Sequence, residues 1–307
     1  MHLLPGDVAT LLLGDRATAR QLASLRAQLG LDQPVLIQYA RFLAAALRGD
    51  FGTSLATSRP AMTEILAAFP TTLQLTLAAL ALSAGIGIPL GIAAGIRPGT
   101  RLDTAILAAT LLGVSIPIFW LGLMLLLVFA ANLGWVPTGG LMPVGLDPPR
   151  VTGMSVVDSL LAANPEMIRQ SLAHLALPAI TLATIPLALI TRITRAETVA
   201  AASLDHVRTA RAKGLPARQV TRRHIVRLAA IPILTVIGLQ LGLLLSGAVL
   251  TETIFALPGL GRLMVDGILA RDYPVVQAGA LCTAAIFVLV NFAVDLSYLA
   301  LDPRITR

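Results

Sequence analysis

Charge is what this sequence lacks most. Only 13% of its 307 residues are Asp, Glu, Lys or Arg, against roughly 25% in an ordinary soluble domain. A chain so short of charge cannot cover a water-facing surface, and its mean hydropathy of +0.82 agrees. Lysine is almost missing: Lys213 is the only one, and Gly214 follows it. A phosphate-cradling loop of the form G-x-x-x-x-G-K-[ST] needs Ser or Thr after its lysine, so this chain contains none. Cysteine is as scarce. The single Cys282 lies in an apolar stretch, which excludes an intrachain disulfide and argues against a cysteine-built metal site.

What is present are long uncharged runs. They extend over 71–96, 104–146, 170–191, 228–251 and 273–294. Each exceeds the ~20 residues that cross a bilayer core as a helix. The composition therefore predicts a multi-pass, all-α membrane protein with five transmembrane helices.

The net charge of +7 is concentrated in one place. Nine of the 23 basic residues fall between Arg192 and Arg227, opposed only by Glu197 and Asp205. No aromatic residue is interleaved there, which argues against a base-stacking nucleic-acid surface. The excess reads instead as a loop on the cytoplasmic side. With 192–227 in the cytoplasm, the link Arg97 to Arg101 and the C-terminus also lie inside, while 134–169 and 252–272 lie outside.

Residues 1–70 then fall outside, and they carry six arginines. The start Met1 to Asp7 has neither the basic n-region nor the apolar core of a signal peptide. The topology predicts a further transmembrane helix ahead of this segment. Within it, Leu22, Leu25 and Leu29 share a face and Gly30 is placed to end a helix; Pro34 suits the start of a second, with Leu36, Tyr39 and Leu43 along one side. The expected organisation is an extracytoplasmic segment 1–70 with short amphipathic helices, a transmembrane core 71–303 with the loop 192–227, and a cytoplasmic tail 304–307.

Inside the spans, Gly87, Gly91 and Gly95 form one ridge of small residues, and Gly238, Gly242 and Ser246 another. Such ridges mark close helix contacts, within this chain or with another subunit. Pro89, Pro117, Pro178, Pro186 and Pro232 predict kinks. Asp295, with Asn291 one turn before it, is the clearest intramembrane carboxylate and hence a functional candidate; a structural ion pair with Arg304 or a basic loop residue is the competing reading. His174 sits at a helix end and His206 and His224 in the loop, which does not suit a proton relay.

The most informative segment is Ser203 to Thr235. Ser203 is placed to cap a helix of about three turns, Leu204, Val207 and Arg211 share a face, Gly214 suits its end and Pro216 follows. A second helix begins near Ala217. A short basic and apolar helix of this kind suits docking into a groove on a soluble partner, with a simple surface helix as the competing reading.

At these residues a resemblance becomes visible. The run Asp205 to Leu215 (DHVRTARAKGL) resembles the cytoplasmic coupling motif of ABC importer permeases, specifically the dipeptide/oligopeptide/nickel/glutathione family. The likeness spans essentially the whole chain: His2 to Asp7 (HLLPGD), Gly49 to Ser54 (GDFGTS), Pro70 to Leu73 (PTTL), Ser115 to Trp120 (SIPIFW), Glu252 to Phe255 with Pro258 to Gly261 (ETIF and PGLG), and Asp302 to Arg304 (DPR).

The resemblance implies a type I importer permease core, whose family begins with a helix absent from this sequence. It implies a subunit of the cell inner membrane that does no chemistry itself and needs no cofactor, with ATP and Mg bound by partners. Those partners would be a homologous second permease, two ATP-binding cassette ATPase subunits and an extracytoplasmic substrate-binding protein. The ATPase contact would be made by Leu204, Asp205, Val207, Arg208, Thr209, Ala210, Arg211, Ala212, Lys213 and Gly214. Leu204 and Val207 would be the apolar anchors; Arg208, Arg211 and Lys213 would make the polar contacts. Short peptides are the expected cargo, with nickel complexes, glutathione and related solutes carried by sister groups.

Other classes fit the sequence less well. An ion-coupled secondary transporter needs a coupling-ion site near the midplane and often inverted repeats, and neither is evident. An intramembrane hydrolase needs a nucleophile beside its base; Ser83, Ser115 and Ser246 have no histidine at their depth. A purely structural scaffold is opposed by the docking helix.

Overall fold

The structure, a computed structural model, describes residues 18–29 and 32–301, apart from the side chains at 25, 26, 28, 29, 246, 247, 295 and 297–301. The motif at His2–Asp7, the side chains of Leu25 and Leu29, Gly30, the side chains of Ser246 and Asp295, and the terminus from Asp302 onward lie outside the described residues. Among the described residues every regular element is helical, and the one β-bridge pairs Thr53 with Pro60.

In chain order the helices are α1 Ala19–Leu29, α2 Val35–Ala46, α3 Ala61–Ile96, α4 Arg101–Ser115, α5 Ile118–Leu125, α6 Ser155–Leu161, α7 Pro165–Ala202, α8 Asp205–Ala212, α9 Ala217–Val220, α10 Val226–Gly247, α11 Val249–Ile254, α12 Leu260–Leu269 and α13 Tyr273–Leu301. A π-helical segment, Leu126–Asn132, continues α5, and a π-helical turn, Thr221–Ile225, joins α9 to α10. Four helical segments are long and apolar enough to cross a bilayer: Ala61–Ile96, Pro165–Ala202, Ala217–Leu245 and Tyr273–Val294. The bent pair Arg101–Ser115 and Ile118–Asn132 makes a fifth if it counts as one span.

That bend is the principal departure from the uncharged-run picture. The two halves meet at 95°. Ile116 is extended (φ −84°, ψ 124°) because the ring of Pro117 forbids the helical region to the residue before it. The expected kinks at the other prolines do not become breaks. α3 runs unbroken through Pro89, α7 through Pro178 and Pro186, and α10 through Pro232.

Helix starts follow their caps. Asn164 accepts the backbone N–H groups of Glu166 and Met167 at 3.0 and 3.2 Å, and Pro165 occupies the first position of α7, where a missing N–H costs nothing.

The chain divides into two compact units, residues 18–67 with 263–282, and residues 68–262 with 283–301. In the first, the GDFGTS segment is a tight loop with Gly49 and Gly52 at positive φ. The Asp272 carboxylate accepts the Ser54 hydroxyl at 2.5 Å and the Ala56 N–H at 3.2 Å. The motif thereby ties the loop after α2 to the residue that precedes α13.

In the second unit α7 is central, packed by α10, α4, α5 and α6. A core of Leu75, Leu175, Leu182, Ile190, Leu244 and Phe255 fills it. Both glycine ridges are intramolecular contacts. A Cβ at Gly91 would lie 2.6 Å from the Thr191 carbonyl oxygen, and one at Gly95 would lie 2.6 Å from Thr198 Cβ. Gly238 and Gly242 admit Val294 and Phe287 of α13 in the same way. The exposed face of α4 carries Leu111 and Leu112, as lipid contact requires.

Candidate coupling site and the groups that hold it

α8 is a two-turn helix hung between α7 and α9. Ser203, expected to cap it, instead closes α7, its hydroxyl donating to the Ala200 carbonyl at 2.7 Å. Leu204 occupies the cap position in extended backbone (ψ 146°) with no side-chain cap. The far end matches its sequence signal: Gly214 adopts φ +75°. Its N–H donates to the Arg211 carbonyl at 3.0 Å, and that of Leu215 to Ala210 at 3.3 Å, so two orphan carbonyls are satisfied by the left-handed turn.

One expectation is corrected by burial. Val207, read from the sequence as an apolar anchor for a partner, is fully buried inside this chain. With Ala210 it joins Ala201, Val220 and Ile225 in a small cluster, covered by Ala202 and Leu215. A periodic apolar position says that something covers it but not what, and here the covering surface is the chain's own α7 and α9. These two residues fix the helix in place. Leu204, 45% exposed, is the large apolar side chain of this segment that the chain leaves uncovered. Asp205, Arg208, Thr209, Arg211, Ala212, Lys213 and Gly214 are exposed beside it. The Arg208–Asp205 pair at 3.3 Å is almost wholly solvated and stabilises the helix by well under about 1 kcal/mol, so Arg208 is available at little cost.

Above α8, a contact that sequence reading missed locks the scaffold. Arg195, about two turns before α7 ends, donates to both carboxylate oxygens of Asp103 at 2.5 and 2.7 Å. Gly99 N–H adds a third bond at 2.8 Å. Asp103 is buried at the start of α4, 92 residues from its partner. The only signal available was that topology puts one lone Asp and this Arg at the same end of the bundle.

The other end of the second unit is organised by Glu252. Its carboxylate accepts Thr72 Oγ1 at 2.6 Å and the Arg262 N–H at 2.9 Å, while Thr72 Oγ1 accepts the Leu260 N–H at 2.8 Å. A Cβ at Gly259 would collide with this carboxyl group, and one at Gly261 would lie 2.7 Å from Val249 Cα. The PTTL and ETIF–PGLG motifs are therefore two halves of one contact. Burial raises the Glu252 carboxyl above its ordinary range, against the lowering effect of the Thr72 hydroxyl and the backbone N–H groups. Nearby, Gln74 bonds Ser155 Oγ and Val156 N–H at 3.0 and 2.9 Å. Asp158 accepts Thr152 N–H, Thr152 Oγ1 and Gly153 N–H at 2.7, 2.7 and 2.9 Å.

The model of the family described as "Binding-protein-dependent transport system inner membrane component" matches residues 87–307. This chain belongs to that family. The model of the corresponding N-terminal component matches residues 1–76. The chain is 45% identical to the probable D,D-dipeptide transport system permease protein DdpB of Escherichia coli K12, over all of this chain and 90% of that protein. It is 43% identical to the di/tripeptide transport system permease protein DppB of Pseudomonas aeruginosa, over 99% of this chain and 91% of that protein. Identity to the glutathione transport system permease protein GsiC of Salmonella paratyphi A is 39%, over 99% and 90%. In fold it is similar to a chain of the MetNI methionine ABC transporter solved in inward-facing conformations, with a TM-score of 0.57, 18% identity, and coverage of 76% of this chain and 93% of that one. The fold is that of a type I ABC importer permease, and the chain belongs to a family of inner-membrane transport components whose named relatives are permease proteins.

Proposed function

We propose that this permease moves short peptides across the inner membrane, driven by ATPase subunits that grip α8. The observation that carries the reading is the division of labour on that helix. Val207 and Ala210 bind it to the ends of α7 and α9, while Leu204, Asp205, Arg208, Thr209, Arg211 and Lys213 are left exposed as a docking face. In this reading 192–227 and the C-terminus are cytoplasmic, ATP and Mg are held by two ATPase subunits, a homologous second permease completes the channel, and an external binding protein delivers cargo. Peptides are favoured over glutathione because the two relatives of higher identity carry dipeptide and di/tripeptide names.

The chain's own part in the cycle is mechanical. ATP-driven closure of the ATPases displaces α8. Its buried side chains pass the displacement to α7 and, through the π-helical turn, to α10, which are packed on one another. Rocking of these spans exchanges inward- and outward-facing arrangements.

The test is purification of the tagged chain from its native membranes, with co-purifying subunits identified by mass. A second permease and a P-loop ATPase are expected, and the paired variant Arg208→Glu/Arg211→Glu should lose the ATPase while keeping the second permease. Retention of the ATPase by that variant would remove α8 from the contact. Labelling of Lys213→Cys, in a Cys282→Ser background, should proceed only from the cytoplasmic side.

A further inference from the structure

We propose that a groove between the ends of α3, α4 and α10 binds one anionic phospholipid. It encloses about 720 Å³, within the range of roughly 300–1,000 Å³ typical of small-molecule sites. Its floor is apolar, formed by Ile92, Ile96, Leu102 and Val226, and its rim carries Arg97, Arg218 and Arg222. No acidic side chain lines it. The closest carboxylate in sequence to the rim, Asp103, has both oxygens engaged by Arg195 and Gly99, so it does not neutralise Arg97. Among the described residues none of the three arginines forms an ion pair. Three unpaired guanidinium groups above an apolar floor, at the ends of apolar spans, match a molecule with a phosphate head and hydrocarbon tail.

The geometry favours lipid over the two competing occupants. A free phosphate has no use for the floor. A soluble partner docking on the arginines would leave Ile92 and Ile96, on an apolar span, uncovered. The inference rests on the cytoplasmic placement of 192–227, where the anionic headgroups of the inner leaflet are found.

The experiment counts phosphatidylglycerol bound to the purified permease complex by native mass spectrometry, after reconstitution with phosphatidylcholine and phosphatidylglycerol together. Phosphatidylglycerol should be retained selectively. Occupancy should fall about fivefold for each of Arg97→Gln, Arg218→Gln and Arg222→Gln. Ala93→Phe, which fills the floor and leaves all three charges, should lower it as well, and excess glycerol phosphate should not displace the lipid. Unchanged occupancy in the triple arginine variant overturns the proposal. So does displacement by glycerol phosphate, which would mark a phosphate site. So does loss of the ATPase from the triple variant with lipid retained, which would mark a protein contact. The count is made on the permease itself, so its failure is separate from any failure of ATPase docking at Arg208 and Arg211.

Discussion

Arg195 of α7 and Asp103 of α4 form a two-pronged ion pair whose carboxylate is 4% exposed and whose guanidinium is 27% exposed. It fastens the first helix of the bent span to the helix that leads into α8. Removing one partner leaves a buried, uncompensated charge. Asp103→Leu or Arg195→Met alone should destabilise the folded protein by about 3 kcal/mol. The double replacement Asp103→Leu/Arg195→Met should recover most of that loss, because an apolar pair removes both desolvation penalties. Thermal unfolding in detergent of the two singles and the double closes the cycle. Additive losses would show that the two residues do not act on each other.

Gly91 offers a steric prediction. Its Cβ would meet the Thr191 carbonyl oxygen and Thr194 Cβ, both at 2.6 Å. Gly91→Ala should cost about 1–3 kcal/mol by forcing α3 away from α7. Trimming Thr194 to Ala should not restore it, since the carbonyl and Cβ remain. Gly113 in α4 has nothing within 4 Å, so Gly113→Ala should be neutral or raise stability by up to about 1 kcal/mol.

The turn at Gly214 separates backbone strain from crowding. Its φ is +75° and nothing lies within 4 Å of an added Cβ. Gly214→Val should destabilise the end of α8 by at least about 1–2 kcal/mol and impair ATP-dependent uptake, through conformation alone. Asn tolerates the left-handed region, so Gly214→Asn should retain most uptake. Equal activity in the Val and Asn variants would refute the role given to the turn.

Asp158 predicts a pH dependence. Burial opposes its ionisation, but the Thr152 and Gly153 hydrogen bonds outweigh it and hold the carboxyl below its ordinary 3.8. A depressed carboxylate contributes stability that is fully present above the unfolded value and lost as pH falls through the folded one. The amides of Thr152 and Gly153 should therefore stay protected from hydrogen exchange down to about pH 4 and lose protection below it. Asp158→Asn should show the unprotected pattern already at neutral pH, at a cost of about 2 kcal/mol.

Gly259 tests the junction between the PTTL and ETIF–PGLG motifs. A methyl group there would occupy the space of the Glu252 carboxyl, so Gly259→Ala should unseat the bonds from Thr72 and Arg262. Proteolysis of the 255–260 segment should accelerate in the variant. Cleavage at the wild-type rate would mean that the carboxylate is not what holds this loop.

How far the sequence carried the fold follows from the physics of each feature. The spans were legible because a bilayer imposes a length, and an uncharged run of that length has few other uses. Three of the five runs lie wholly within helices, whereas 104–146 continues past the bent pair into non-helical chain and 228–251 passes from α10 into α11. The right-angle bend was not legible as such: Pro117 is one proline among five, and only at Ile116 and Pro117 does the backbone leave the helix. Partners at long range were invisible. Nothing in the neighbourhood of Asp103 names Arg195, and nothing near Thr72 names Glu252. α8 was legible by its punctuation, Gly214 and Pro216, but its orientation was not. Val207 was assigned outward, and only packing shows that it faces in.

Lys213 ends α8 and is exposed there. Because it is the chain's only lysine, an amine-directed cross-linker has one side chain to attack here, apart from the chain's amino terminus. Any lysine cross-link from this subunit to a neighbour therefore carries its own address: the reporter and the tip of α8 are the same atom.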